Sequence, residues 1–127
     1  MAIIGIGTDI VKISRIKRIF KKYPKGFAER ILHKNELKIL KHHKSPNTFL
    51  AKRFSAKEAV AKALGTGIAQ GVGFQDIEIS NNDLGQPILT LHGSTLEVAK
   101  GKGVCNNFIS LSDERDYAIA YVVLESD

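Results

Sequence analysis

Two carboxylates and an ammonium have the residue types and spacing to work on a phosphate. Glu58 and Lys62 stand four apart in a helical run, so they share one face. Asp9 follows the apolar stretch Ala2-Ile3-Ile4-Gly5-Ile6-Gly7, at the end of a strand. One acid at a strand end and one in mid-helix suit a hard cation. Mg²⁺ takes one or two protein carboxylates and completes its shell with phosphate oxygens and water. Each residue also has a plainer reading. A Glu–Lys pair at this spacing is an ordinary surface ion pair worth about 0.2–0.5 kcal/mol, and Asp9 caps a turn. The surroundings of Glu58 weigh against the plain reading. Ala56, Ala59, Ala61 and Ala63 leave room for close approach to the helix, which runs into Gly65-Thr66-Gly67 instead of a polar turn.

Other candidate groups carry less. Gly65-Thr66-Gly67 resembles a phosphate cradle only in composition, because it follows a helix and no Gly-x-x-x-x-Gly-Lys-Ser/Thr pattern is present. No Gly-x-Gly-x-x-Gly follows the first strand, so a dinucleotide fold has no support. His33, His42, His43 and His92 lack the spacing of tetrahedral metal ligands. His42 and His43 fall in an exposed basic stretch and read as solvated. The single Cys105 excludes an internal disulfide and reads as a small packed hydrophobe.

Several elements must position these groups. The opening strand covers residues 2–7 and ends in Thr8-Asp9. Ile13, Ile16 and Phe20 recur at helical spacing among Lys12, Arg15, Lys17, Arg18, Lys21 and Lys22, which makes a short basic helix. Tyr23-Pro24-Lys25-Gly26 breaks it, and a helical turn follows over 27–32. Asn35 is the expected cap of a helix through Lys41. Ser45 should cap, and Pro46 open, a long helix from 47 to 64 that ends at Gly65. Its core stripe would be Phe49, Leu50, Phe54, Val60, Ala61 and Leu64. Strands over 76–80 and 88–91 flank a turn at Asn81–Pro87. Ser94 caps a short helix over 95–100. Strands at 108–112 and 117–124 surround an Asp113–Asp116 turn. Strands at both ends with helices between give an α+β fold, with a small, mostly antiparallel sheet in one domain over 1–127.

Composition narrows the function classes. With 43% apolar and 25% charged residues, the chain has ordinary globular composition. No apolar run approaches the roughly 20 residues of a membrane span, and the start lacks the basic region of a secretion signal. The expected location is the cytoplasm. The net charge of +6 is divided unevenly. Residues 1–53 hold 14 Lys and Arg against 3 Asp and Glu, net +11, whereas residues 54–127 are net −5. Nucleic acid, an anionic membrane, a phosphate-rich small molecule or an acidic protein would suit the basic half. Self-solvating lysine-rich helices would account for it equally well.

Three segments taken together are more specific. Gly7-Thr8-Asp9-Ile10-Val11-x-Ile13-x-Arg15-Ile16 resembles the opening motif of the holo-acyl-carrier-protein synthases, the short bacterial type of 4′-phosphopantetheinyl transferase. Phe54-x-x-Lys57-Glu58-Ala59-x-x-Lys62-Ala63-x-Gly65-Thr66-Gly67 resembles that family's central motif. Ser110-Leu111-Ser112 with Tyr117-Ala118-x-Ala120 resembles the third, and Leu84-Gly85-x-Pro87 fits between them. Order and length match over essentially the whole chain.

The resemblance implies transfer of the 4′-phosphopantetheine arm of coenzyme A to a serine of apo acyl carrier protein, for fatty acid biosynthesis. Adenosine 3′,5′-bisphosphate is the other product. Asp9 and Glu58 would ligate Mg²⁺, or Mn²⁺, and Lys62 would steady charge on the leaving phosphate. Arg53, with Lys44, would clamp the 3′-phosphate, since guanidinium grips phosphate bidentately. Gly65, Thr66 and Gly67 would let backbone approach the nucleotide, and Gly85 and Pro87 would border the adenine. Arg15, Arg18, Lys21 and Lys22 would dock the acidic carrier protein. The family is commonly trimeric, with sites where protomers meet. One position departs: many members carry His after the third motif's Ser-x-Ser/Thr, and this chain has Asp113. A carboxylate is a weaker base than imidazole, so the serine proton would leave through metal-bound water, Glu58 or Asp113, unless Asp113 only caps its turn. The competing reading is a basic nucleic-acid-binding module. It lacks aromatic residues interleaved with the basic ones and leaves Asp9 and Glu58 unexplained, so the transferase reading takes no nucleic acid and no membrane as partner.

Overall fold

Period-two alternation at the two chain ends builds three long strands into one antiparallel sheet. The computed structural model describes residues 1–127. In it β1 (Ile3–Lys12), β5 (Tyr117–Ser126) and β4 (Val104–Asp113) pair in the order β1-β5-β4. Asp9 lies opposite Ala120, which in turn lies opposite Leu111. Gly7, Asp9 and Val11 share one face of β1. This face meets α4 (Pro46–Ala63), the central helix. Eleven of its 18 residues are buried, on all sides and not along a single stripe. The hairpin β2 (Ile77–Asn81) and β3 (Pro87–Leu91) covers part of α4 together with α5 (Gly93–Gly101). The basic helix α1 (Ile13–Lys22), α2 (Pro24–Ile31) and α3 (Lys34–Leu40) complete the layer around its first half.

The helix–strand contact is unusually close. A Cβ at Gly5 would fall 1.8 Å from the Ala63 carbonyl oxygen, and one at Gly7 would fall 1.9 Å from that of Ala59. Only glycine lets β1 lie directly on the α4 backbone. Of the small residues read as leaving space beside Glu58, Ala59 and Ala63 leave it for this strand.

The α+β class and the mostly antiparallel sheet match the sequence expectation; local boundaries and caps differ. β1 runs on to Lys12, because its pairing with β5 continues past Asp9. Tyr23 alone breaks the chain between α1 and α2, and Pro24 opens α2 at a position that needs no N–H. His33, not Asn35, caps α3. Its Nδ1 accepts from the Asn35 N–H (3.1 Å), while Glu36 accepts from the His33 N–H (2.8 Å). Ser45 makes no side-chain cap. Ser94 lies inside α5, where its hydroxyl donates to the Gly71 carbonyl (2.6 Å). Cys105 is exposed on β4 and is not packed in the core.

Candidate active site

Period two carries Asp9 onto the β1 face that meets α4, and the helical repeat stacks Glu58 and Lys62 on the facing side. Lys62 Nζ donates to Asp9 Oδ1 at 3.1 Å and to the Thr8 carbonyl at 3.0 Å. Burial pushes the Asp9 carboxyl above the usual range, opposed by Lys62 and Arg15. Burial also raises Glu58; the Asp9 charge adds to this, and Lys62 and Arg15 work against it. Two carboxylates that resist ionisation beside each other form a site short of positive charge. The Lys62 ammonium already occupies one flank. The donors are all oxygens, a set that suits Mg²⁺ or Mn²⁺.

A cavity of about 540 Å³ opens beside Glu58, between Arg15 and Tyr23 of the α1 side and the rings of Phe27, Phe54 and Phe74. Arg15 therefore borders the acids as well as lying on the basic helix. Arg18, Lys21 and Lys22 are exposed along α1.

The other predicted residues gather elsewhere. Arg53, Gly85, Pro87 and Asp113 line a second cavity of about 310 Å³, together with Lys52 and Asn81. Asp113 pairs with Lys52 there (3.2 Å). Lys44 belongs to a third concavity, beside Lys17 and Arg115. Gly65 and Gly67 have positive φ, and the N–H groups of Thr66 and Gly67 both go to the Ala61 carbonyl. This loop thus closes the end of α4 with its own amides.

Arg53 is nearly fully buried, although it borders the second cavity. Its Nη2 donates to Asn81 Oδ1 (3.0 Å), its Nε lies 3.6 Å from Glu36 Oε2, and its guanidinium stacks 4.5 Å above Phe49. Burial lowers its pKa, and Glu36 opposes the shift. Sequence reasoning missed the partner of this group. Lys57, 0% exposed, donates to Glu36 and to the carbonyls of Ile31 (2.7 Å) and Phe74 (3.1 Å). Glu36 also accepts from the Ile79 N–H (3.0 Å). A buried lysine beside Glu58 thus ties α4 to α2, α3 and β2. In sequence Lys57 stands near Ala56, Ala59 and Ala61, too weak a signal to show its burial.

An α+β scaffold brings two acids and an amine together where a strand crosses a helix, under a basic helix, an arrangement able to hold a divalent cation and a phosphate. The model of the 4′-phosphopantetheinyl transferase superfamily matches residues 5–122. The holo-[acyl-carrier-protein] synthase of Vibrio vulnificus (strain CMCP6) is 52% identical over 126 residues, covering 99% of this chain and all of that protein. The crystal structure of the holo-[acyl-carrier-protein] synthase from Neisseria meningitidis superposes with a TM-score of 0.93 at 44% identity, covering 98% of this chain and 99% of that one. The holo-(acyl-carrier-protein) synthase from Bacillus anthracis, in complex with CoA (3′,5′-ADP), superposes with a TM-score of 0.85 at 40% identity over the full length of both. The chain belongs to the 4′-phosphopantetheinyl transferase superfamily.

Proposed function

We propose that this chain, as one transferase domain over residues 1–127, moves the 4′-phosphopantetheine arm of coenzyme A onto a serine of an apo acyl carrier protein in the cytoplasm. The observation that carries the reading is the convergence of Asp9, Glu58 and Lys62 from β1 and α4. Asp9 and Glu58 would hold Mg²⁺, which when bound neutralises pyrophosphate charge. Lys62, free to swing from Asp9 because its side chain is 52% exposed, would accompany the leaving bisphosphate. Glu58 borders the cavity below α1, so it faces an arriving serine hydroxyl. Asp113 is paired with Lys52 in the other cavity, which leaves Glu58 or metal-bound water to take the serine proton.

We assign the 3′-phosphate and adenine to the second cavity, where Arg53 meets Gly85 and Pro87; Lys44 lies apart, in the concavity it shares with Lys17 and Arg115. The acids and this cavity form separate groups within one chain, which supports a site completed by a neighbouring protomer. The outer face of the sheet supports the same assembly. Ile6, Ile10, Phe108 and Tyr121 are 59%, 59%, 55% and 47% exposed on its three strands. A homotrimer would cover them. No helix is long and apolar enough to cross a membrane.

The decisive experiment incubates the protein with apo acyl carrier protein, coenzyme A and Mg²⁺ and weighs the carrier by mass spectrometry. The carrier should gain one phosphopantetheine group. An unchanged mass with folded protein overturns the reading.

A further inference from the structure

The transferase centre leaves unused three donors that the fold brings together from distant parts of the chain. We propose that His33, Glu78 and His92 form a second metal site, for a borderline transition-metal ion such as Zn²⁺. The spacing argument against these histidines fails in three dimensions. His33 precedes α3, Glu78 lies in β2 and His92 joins β3 to α5. His92 Nε2 is 2.8 Å from Glu78 Oε1, and His33 Nδ1 is 3.9 Å from the same oxygen. One donor atom from each residue lies within 4.8 Å of the others. Tetrahedral bonds of about 2.0–2.1 Å place donors roughly 3.4 Å apart. The observed separations fall on either side of that value, so small side-chain adjustments complete the geometry.

The surroundings prepare these atoms for a cation. His33 Nδ1 carries no proton, since it accepts from the Asn35 N–H (3.1 Å), and an ion bound through this nitrogen takes its single lone pair from that amide. The Asn35 side-chain amide donates to Glu78 Oε2 (3.0 Å), which orients the carboxylate and leaves Oε1 toward the imidazoles. The two rings stack with centroids 4.7 Å apart. The bonds that Glu78 makes with Asn35 and His92 fix both of its oxygens in place. The His33 and Glu78 side chains are 14% exposed and that of His92 is 39%, so the outer flank admits water as a fourth ligand. An ion here takes the place of the proton between His92 and Glu78, which is released. Two imidazoles and one carboxylate favour Zn²⁺, Co²⁺ or Ni²⁺ over Mg²⁺, so the site is chemically distinct from the Asp9–Glu58 pair. The bound ion cross-links α3, β2 and the β3–α5 junction. This proposal does not depend on the transferase reading.

Titration of the full chain with Co²⁺ under saturating Mg²⁺ tests it through visible absorption. One equivalent should bind and give bands of four- or five-coordinate Co²⁺, and Zn²⁺ should displace it and raise the melting temperature. H33S keeps an N-cap acceptor while removing a ligand. H92F removes the more exposed ligand. Each should lose at least tenfold in Co²⁺ affinity and the Zn²⁺-dependent rise in Tm, with circular dichroism unchanged. H42N should bind as the parent does. Absence of stoichiometric binding, full binding in either H33S or H92F, or loss of binding in H42N overturns the site.

Discussion

Glu58 and Asp9 each carry a cost of burial as charged groups. Burial raises both carboxyls. An acid whose pKa is higher folded than unfolded binds more protons in the native state, so stability falls as pH rises through that window. E58Q should therefore melt at the same temperature as the parent or higher at pH 7, while phosphopantetheine transfer falls by at least about 10²-fold. A variant that is both fully active and stabilised would remove Glu58 from the centre. The same shift fixes a pH dependence. On the proposed ligation of Mg²⁺ by Asp9 and Glu58 both acids must be ionised, so its apparent affinity should weaken on acidification at a higher pH than unperturbed carboxyls would give. K62M removes the nearest positive charge and should move that midpoint upward, as measured by calorimetric Mg²⁺ titration between pH 5 and 8.

The strand–helix crossing is set by two missing side chains. A methyl group at Gly7 meets the Ala59 carbonyl oxygen at 1.9 Å, and backbone cannot step aside as a side chain does. G7A should cost about 3 kcal/mol, lowering the melting midpoint by roughly 10 °C, and it should separate Asp9 from Lys62. Lys57 fixes the same helix from the other side. K57M leaves Glu36 with Arg53 at 3.6 Å as its remaining cation and should destabilise by about 3 kcal/mol, read by urea unfolding. Neither contact was legible in sequence. The motif around Lys57 marks a helix, but whether its ammonium meets solvent or three buried acceptors depends on how α2, α3 and β2 close around it.

Charge and apolar surface act on the whole molecule. Arg18 is exposed on α1 and is not among the groups that perturb either acid, whereas Arg15 is close enough to shift both. R18E should raise KM for the carrier protein several-fold and leave that for coenzyme A nearly unchanged, and the effect should shrink with added salt. R15E should lower kcat as well. Tyr121 and Ile119 lie on the bare sheet face. I119D/Y121D should sediment as a monomer and lose activity if the site is shared between protomers; an active monomer defeats the assembly.

By itself the sequence determined the α+β class and the basic helix and named the candidate residues for chemistry, because motif spacing, alternation and helical periodicity are local properties of the chain. Asp9 and Glu58 could be named as a pair, yet 49 residues separate them. The tertiary structure decided that the charge of one reaches the other, that Arg53 and Asp113 face a different cavity, and that two histidines 59 residues apart stack on each other beside one glutamate. Those outcomes depend on which surfaces pack closely enough to exclude water, and close packing is a property of the closed core, not of any segment within it.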